Sequence, residues 1–281
     1  HAGLEQAIRV DQVDLDGGYT GLTQEEFVKT IHLEAGRLNL QVPVIIAIDH
    51  GGPWLKDAHT AGKLPFEETF NAVKTSFEDA IRAGYDLIHV DPTVDITLPK
   101  GAVIPIETVA ERTLALIAHA ENFRKAGGYK PIAYEVGTEE VHGGLADVSV
   151  FRTFLSLLKE GLAKQGNGDV WPCFVVGKVG TDLHTTEFDP VTAMKLTDIA
   201  REYGSVIKGH YTDGVVNPED YPASGMGAAN VGPEFTIAEY NGLMECEKVE
   251  KQLFESGKVA SCSRMGLILQ EAVVASGRWK K

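Results

Sequence analysis

No stretch of the 281 residues approaches the roughly 18 to 20 consecutive apolar residues of a membrane span. The chain therefore reads as one that does not enter a membrane. Basic residues are too few to meet nucleic acid: 26 Lys and Arg stand against 40 Asp and Glu, a net charge of −14, and no local Lys/Arg cluster offsets it. Cysteine is scarce. Cys173, Cys246 and Cys262 are odd in number, widely spaced and without CxxC geometry, so reduced thiols of a cytoplasmic protein are the simplest reading. The N-terminus lacks the basic and then apolar segments of a signal peptide, and its first residue is His rather than Met, which suggests a chain whose beginning has been cut or processed. No low-complexity segment, Ser/Pro-rich linker or GxGxxG dinucleotide fingerprint is present.

What the chain does have is an apolar run, Val44 to Ile48, that stops abruptly at Asp49, His50, Gly51 and Gly52. Such a run suits a strand buried on both faces, and its polar end cannot continue into the core. Similar units follow. Leu87 to Val90 ends at Asp91 and Thr93, Pro131 to Val136 carries Glu135, Trp171 to Val179 leads to a loop with His184, and Ser205 to Lys208 leads to His210. Amphipathic segments alternate with them: Phe66 to Ala83 closed by Gly84, Glu107 to Lys125, Val148 to Leu162, and Pro190 to Tyr203. Thr23 and Glu26 form a capping-box pattern ahead of an apolar stripe of Phe27, Ile31 and Leu33.

HAGLEQAI reads as the end of a helix, Arg9 to Leu15 as the first strand, and Ala228 to Val231 as the seventh. A leading helix implies an eighth strand upstream. The expectation is an α/β protein, a (β/α)8 TIM barrel whose first strand is missing from the N-terminus. Residues 1–281 form one barrel domain with a C-terminal helical extension.

In such a barrel the strand ends gather Asp16, Asp49, His50, Asp91, Thr93, Glu135, His184, Lys208, His210 and Asn230 on one rim. His50, His184 and His210 each follow a strand end in a Gly-containing loop, and three imidazoles suit a divalent metal, with zinc favoured. His89 falls inside a strand and is assigned to packing; His142 is assigned to a solvent-facing loop. Asp49 is a proton carrier at the substrate or the partner that orients a ligand. Glu135 is a general base, a fourth ligand or a structural acceptor. Lys208 could form a Schiff base, but the histidines favour metal chemistry.

The segments VDQVDLDGGYTGLTQEEF, AIDHGGPW, AGYDLIHVDPTVD, YEVGTEEVHGG and KGHYTDG resemble the GatZ/KbaZ family, the tagatose-1,6-bisphosphate aldolase subunits. That resemblance implies a barrel related to zinc-dependent class II aldolases, with the catalytic acid at Asp49 and zinc at His50, His184 and His210. It implies metal-dependent cleavage of a ketose (bis)phosphate; Asp91, Lys208, Asp213 and Asn230, at or near the strand ends, are the expected substrate contacts. Two alternatives stay open: epimerisation of an unphosphorylated ketose or keto-uronate, and a non-catalytic subunit that stabilises a catalytic aldolase. Partners are accordingly a sugar or sugar phosphate and a homo- or hetero-oligomer. The chain departs from catalytic aldolases where they grip phosphate, at HYTDG and NVGPEF. Asp213 there would repel a dianion, and Pro233 removes a backbone donor.

Overall fold

The computed structural model describes residues 3–99, 102–137, 145–182, 185–277 and 279. They divide into two compact units, residues 1–229 and 230–281. The first unit holds a seven-stranded parallel sheet in which each strand pairs with the next in sequence: β1 (Leu4–Arg9), β2 (Val44–Gly51), β3 (Leu87–Val90), β4 (Ala133–Gly137), β5 (Phe174–Val176), β6 (Val206–Gly209) and β7 (Ala228–Ala229). Parallel neighbours need crossovers, and helices supply them: α1 (Gln24–Arg37), α2 (Asp57–Ala61), α3 (Phe66–Ala83), α4 (Ile106–Gly127), α5 (Val148–Lys164), α6 (Pro190–Tyr203) and the short α7 (Asp220–Ala223).

The sheet curls into a TIM-barrel-like half-barrel that does not close, and seven strands, the number expected within this chain, lie among the described residues. The described part of HAGLEQAI is not the end of a helix. Leu4–Arg9 is itself β1, whereas residues 10–15 form turns with one isolated bridge at Val13, so the expected first strand lies one segment too late. Alternation is present in β1, but Glu5 and Arg9 are polar where an interior-facing residue is expected to be apolar, and that hides the period of two.

The strand residues Ile46, Ile48, Ile88, Val90, Tyr134, Val136, Val175 and Ile207 join Phe77, Leu116, Ile117, Phe151, Phe154, Leu155, Leu158 and Leu196 of the helices in one core. Each such side chain contributes about 1.5–3 kcal/mol on burial. On α1 the capping box forms, with Thr23 Oγ1 accepting from Glu26 N and the Glu26 carboxylate accepting from Thr23 N. Phe27 packs inward but Leu33 is 69% exposed, so the stripe of α1 is narrower than the sequence implies. The second unit consists of α8 (Pro233–Glu255) and α9 (Met265–Ser276), with Ser263 between them bonded through N and Oγ to Glu250. Among the described residues no helix is long and apolar enough to cross a membrane.

Candidate metal centre

The opposite face of the sheet, to which alternation turns every second strand residue, carries Glu5, Arg9, Asp49, His89, Glu135 and Lys208 among apolar neighbours such as Ala47 and Leu87. Register places Arg9 beside Asp49 and His89 beside Glu135. Lys208, on β6, donates from Nζ to Glu5 of β1 and to Glu135 of β4, both at 2.7 Å. Its 1% exposure makes this triad the floor of the half-barrel.

Above the floor, Asp49, His50, His89 and His210 bring one donor atom each to within 4.8 Å of one another. β2 delivers the first two through an irregularity: the β2–β3 register shifts between Ile48 and Gly51, and His50 adopts φ 51°. That turns the His50 ring inward beside Asp49, where regular alternation would send it to the opposite face. Two glycines make room for the kink. A Cβ on Gly52 would lie 1.7 Å from Asp91 O, and one on Gly51 would lie 2.5 Å from the Phe77 ring.

The hydrogen bonds assign the imidazole protons. His50 Nδ1 meets Asp91 Oδ2 at 2.5 Å, and His210 Nε2 meets Glu135 Oε1 at 3.0 Å. Carboxylates only accept, so both nitrogens donate. The remaining nitrogens, His50 Nε2 and His210 Nδ1, then face each other at 3.1 Å with a lone pair each. Two facing lone pairs require a cation or a proton between them. Without a metal the proton resides on His50: burial opposes its charge, but Asp49 and Asp91 outweigh it and push its pKa up to about 9. Burial, with the charge on His50, holds His210 below the usual histidine range.

This donor set fits a divalent metal. Each ring is oriented by a carboxylate on its far nitrogen, as in metal-binding histidines generally. Asp49 Oδ1 is buried without a hydrogen-bond partner. Burial favours the neutral form of Asp49, yet the charge of His50 and the neighbouring His89 and His210 hold its carboxyl far below the carboxylate range. His89, expected only to pack, lies in this group. Its Nδ1 accepts from His50 N at 3.2 Å, which leaves the ring proton on Nε2, an atom with no partner beside Gly137. The signal for His89 was parity. Leu87, His89 and Asp91 alternate, so a rim position for Asp91 carries His89 to the same face.

The remaining expected residues are less uniform. Glu135 is fully buried and held down to about 2, since His89, His210 and Lys208 overcome its burial. Asp91 is 2% exposed, with Oδ2 on His50 and Oδ1 accepting from Thr93 Oγ1. Lys208 is taken up by its two acids. Asp213 is half-buried in the loop after β6, and Asn230 opens the second unit. Asp16 is drawn to Lys56 at 2.8 Å rather than into the centre. His184 and His142 lie outside the described residues.

A curled parallel sheet with a histidine and carboxylate centre at the carboxyl ends of its strands defines an α/β half-barrel of the TIM-barrel kind. The chain belongs to the D-tagatose-1,6-bisphosphate aldolase subunit GatZ/KbaZ-like family, whose family model matches residues 7–281. Among solved structures it is similar to a probable tagatose 6 phosphate kinase from Sinorhizobium meliloti 1021, 22% identical with a TM-score of 0.76 over 99% of this chain and 68% of that one. It is also similar to a fructose-bisphosphate aldolase from Campylobacter jejuni, 13% identical with a TM-score of 0.53 over 89% of this chain and 76% of that one. An oxaloacetate acetylhydrolase shares the fold at 12% identity and a TM-score of 0.51, covering 96% of this chain and 84% of that one.

Proposed function

We propose that the chain is a metal-dependent lyase that splits a ketose phosphate by retro-aldol chemistry, in the manner of class II aldolases. The observation that carries this reading is the pair of facing nitrogens on His50 and His210, each ring held by a buried carboxylate. These two histidines would hold the ion, with His184 completing the set as the family resemblance implies. A divalent ion held there, zinc by its preference for imidazole, would supply Lewis-acid polarisation of a ketose carbonyl and a positive charge opposite the one left by bond cleavage.

The protein's own groups then divide the work. Asp91 and Glu135 fix the two rings. Asp49 is ionised, and its unpartnered Oδ1 accepts the proton of the hydroxyl on the carbon beyond the bond that breaks. The bond electrons remain with the carbonyl-bearing fragment, the other fragment leaves as an aldehyde, and Asp49 returns its proton to the first. His89 offers Nε2–H to a substrate oxygen. The family's description as a subunit favours a second reading, a chain that supports a separate catalytic partner.

Elemental analysis and a product assay separate the two. Purified chain loaded with zinc is expected to release triose phosphates from D-tagatose 1,6-bisphosphate, and Asp49→Asn to lower kcat by at least about a hundredfold. His50→Ala and His210→Ala should lose the ion. A metal-free wild type after incubation with zinc would sink the metal reading. Bound metal without turnover would move the supporting subunit to the front.

A further inference from the structure

One guanidinium at the rim has no part in the chemistry above. Arg9 ends β1 as the register partner of Asp49, on the same face of the sheet. Its Nη2 donates to Leu55 O at 3.2 Å, its Nε lies 3.4 Å from Asp11 Oδ1, and its side chain keeps 42% of its exposure. These two contacts brace the fork from the β1 side and from the loop after β2. Lys56, in that same loop, is committed differently: Asp14 and Asp16 hold its ammonium at 2.9 and 2.8 Å. The charge of Arg9 reaches the His50 ring and the Tyr211 phenol.

We propose that Arg9 receives the anionic terminus of the substrate, a phosphate monoester or a sugar carboxylate. This rests on the lyase reading in placing the reacting carbons at Asp49, His50 and His210. A substrate anion entering here meets Asp11, Asp49 and Asp91, in a chain of net charge −14, and needs a fixed cation to offset them. A guanidinium matches both candidate groups because its parallel N–H donors fit phosphate and carboxylate oxygens bidentately. Neighbouring parallel strands lie roughly 4.8 Å apart. Arg9 therefore grips a group only a few bonds from a carbon held at Asp49. This also supplies the anchor that HYTDG and NVGPEF lack, since Arg9 approaches from the opposite end of the strand order.

The test is equilibrium titration of the full, zinc-loaded chain, carrying Asp49→Asn to stop turnover, with D-tagatose 1,6-bisphosphate, a keto-hexuronate and neutral D-tagatose. Arg9→Gln should weaken a charged sugar at least about tenfold, leave D-tagatose unchanged and keep the metal content of wild type. Arg9→Lys should recover part of the loss. Which charged sugar shows the dependence identifies the anion. Equal affinity of the charged sugars for wild type and Arg9→Gln would overturn the proposal, as would a loss that appears instead in Lys178→Gln, a basic position two residues past the end of β5. Binding is read in the Asp49→Asn background, so an Arg9-dependent affinity there, beside a wild type that forms no triose phosphate, refutes the lyase and keeps the anchor.

Discussion

Lys208 is 1% exposed and touches two carboxylates, so its removal has a larger effect than the loss of a surface ion pair. Lys208→Met leaves Glu135 charged and Glu5 unneutralised at the floor of the half-barrel. Breaking a buried pair in this way costs about 3–5 kcal/mol, and denaturant unfolding of Lys208→Met should show that loss. Combining it with Glu5→Gln and Glu135→Gln should return part of the stability, because the charges that need a partner are then gone. A second buried carboxylate gives a pH dependence. Glu121 is 1% exposed and accepts from Arg124 and from Tyr134 Oη. Burial acts to raise its pKa, but Arg124 and Tyr134 prevail and hold it below the ordinary value. A depressed folded pKa stabilises the fold above the unfolded pKa of roughly 4.3, and that stability is lost as pH falls through the folded value. Glu121→Gln should therefore flatten the acid limb of stability measured from pH 6 downward. If wild type and Glu121→Gln lose stability in parallel on acidification, Glu121 contributes nothing to it.

At the scale of elements, β2 matters most, because its irregular end turns His50 inward. Gly52→Ala forces a methyl group against Asp91 O, where only 1.7 Å is available. Overpacking typically costs 1–3 kcal/mol, about the range expected here. The same change should reduce metal content, since Asp91 orients His50. A Gly52→Ala protein with wild-type stability and metal would show that the kink does not need glycine. Such elements were legible to unequal degrees. Helices α3 and α6 and strand β3 were readable to the residue, because Gly84, Pro190 and Asp91 punctuate them locally. β1 was not, since Glu5 and Arg9 face the interior and remove the apolar alternation by which a strand is recognised. Asp49, His50 and His210 announced themselves at strand ends. His89 was marked only by its parity with Asp91, because a four-residue strand buried on both faces does not by itself show which face is the site. The kink at His50 was also invisible, for a register shift depends on the neighbouring strand.

On the proposed reading, the molecule as a whole should be more stable with zinc at the histidine centre than without it. A ligand that binds only the folded state adds about 2.7 kcal/mol at a hundred times its Kd. For a chain of this size that is a rise of about 5–10 °C in Tm, from roughly 2–4 °C per kcal/mol. Thermal unfolding with zinc and with chelator measures it, and His50→Ala or His210→Ala should abolish the difference. An unchanged Tm across a wide range of zinc concentration would mean that the donor set does not hold zinc in the folded protein.

The ion pair between Glu5 and Lys208 joins residues separated by 203 positions, although each strand pairs with its immediate successor. On the ribosome the two ends of that bond are made far apart in time. At roughly 5–20 residues per second, about 10 to 40 s pass between Glu5 and Lys208. Early strands can pair as they emerge, but Glu5 and Glu135 must wait for the last long strand to bring their common cation. Until then Glu5 and Glu135 lie on the inner face of the nascent sheet without the lysine they share. The contacts that join β1 and β4 through Lys208, and the place of His210 in the centre, thus wait for β6.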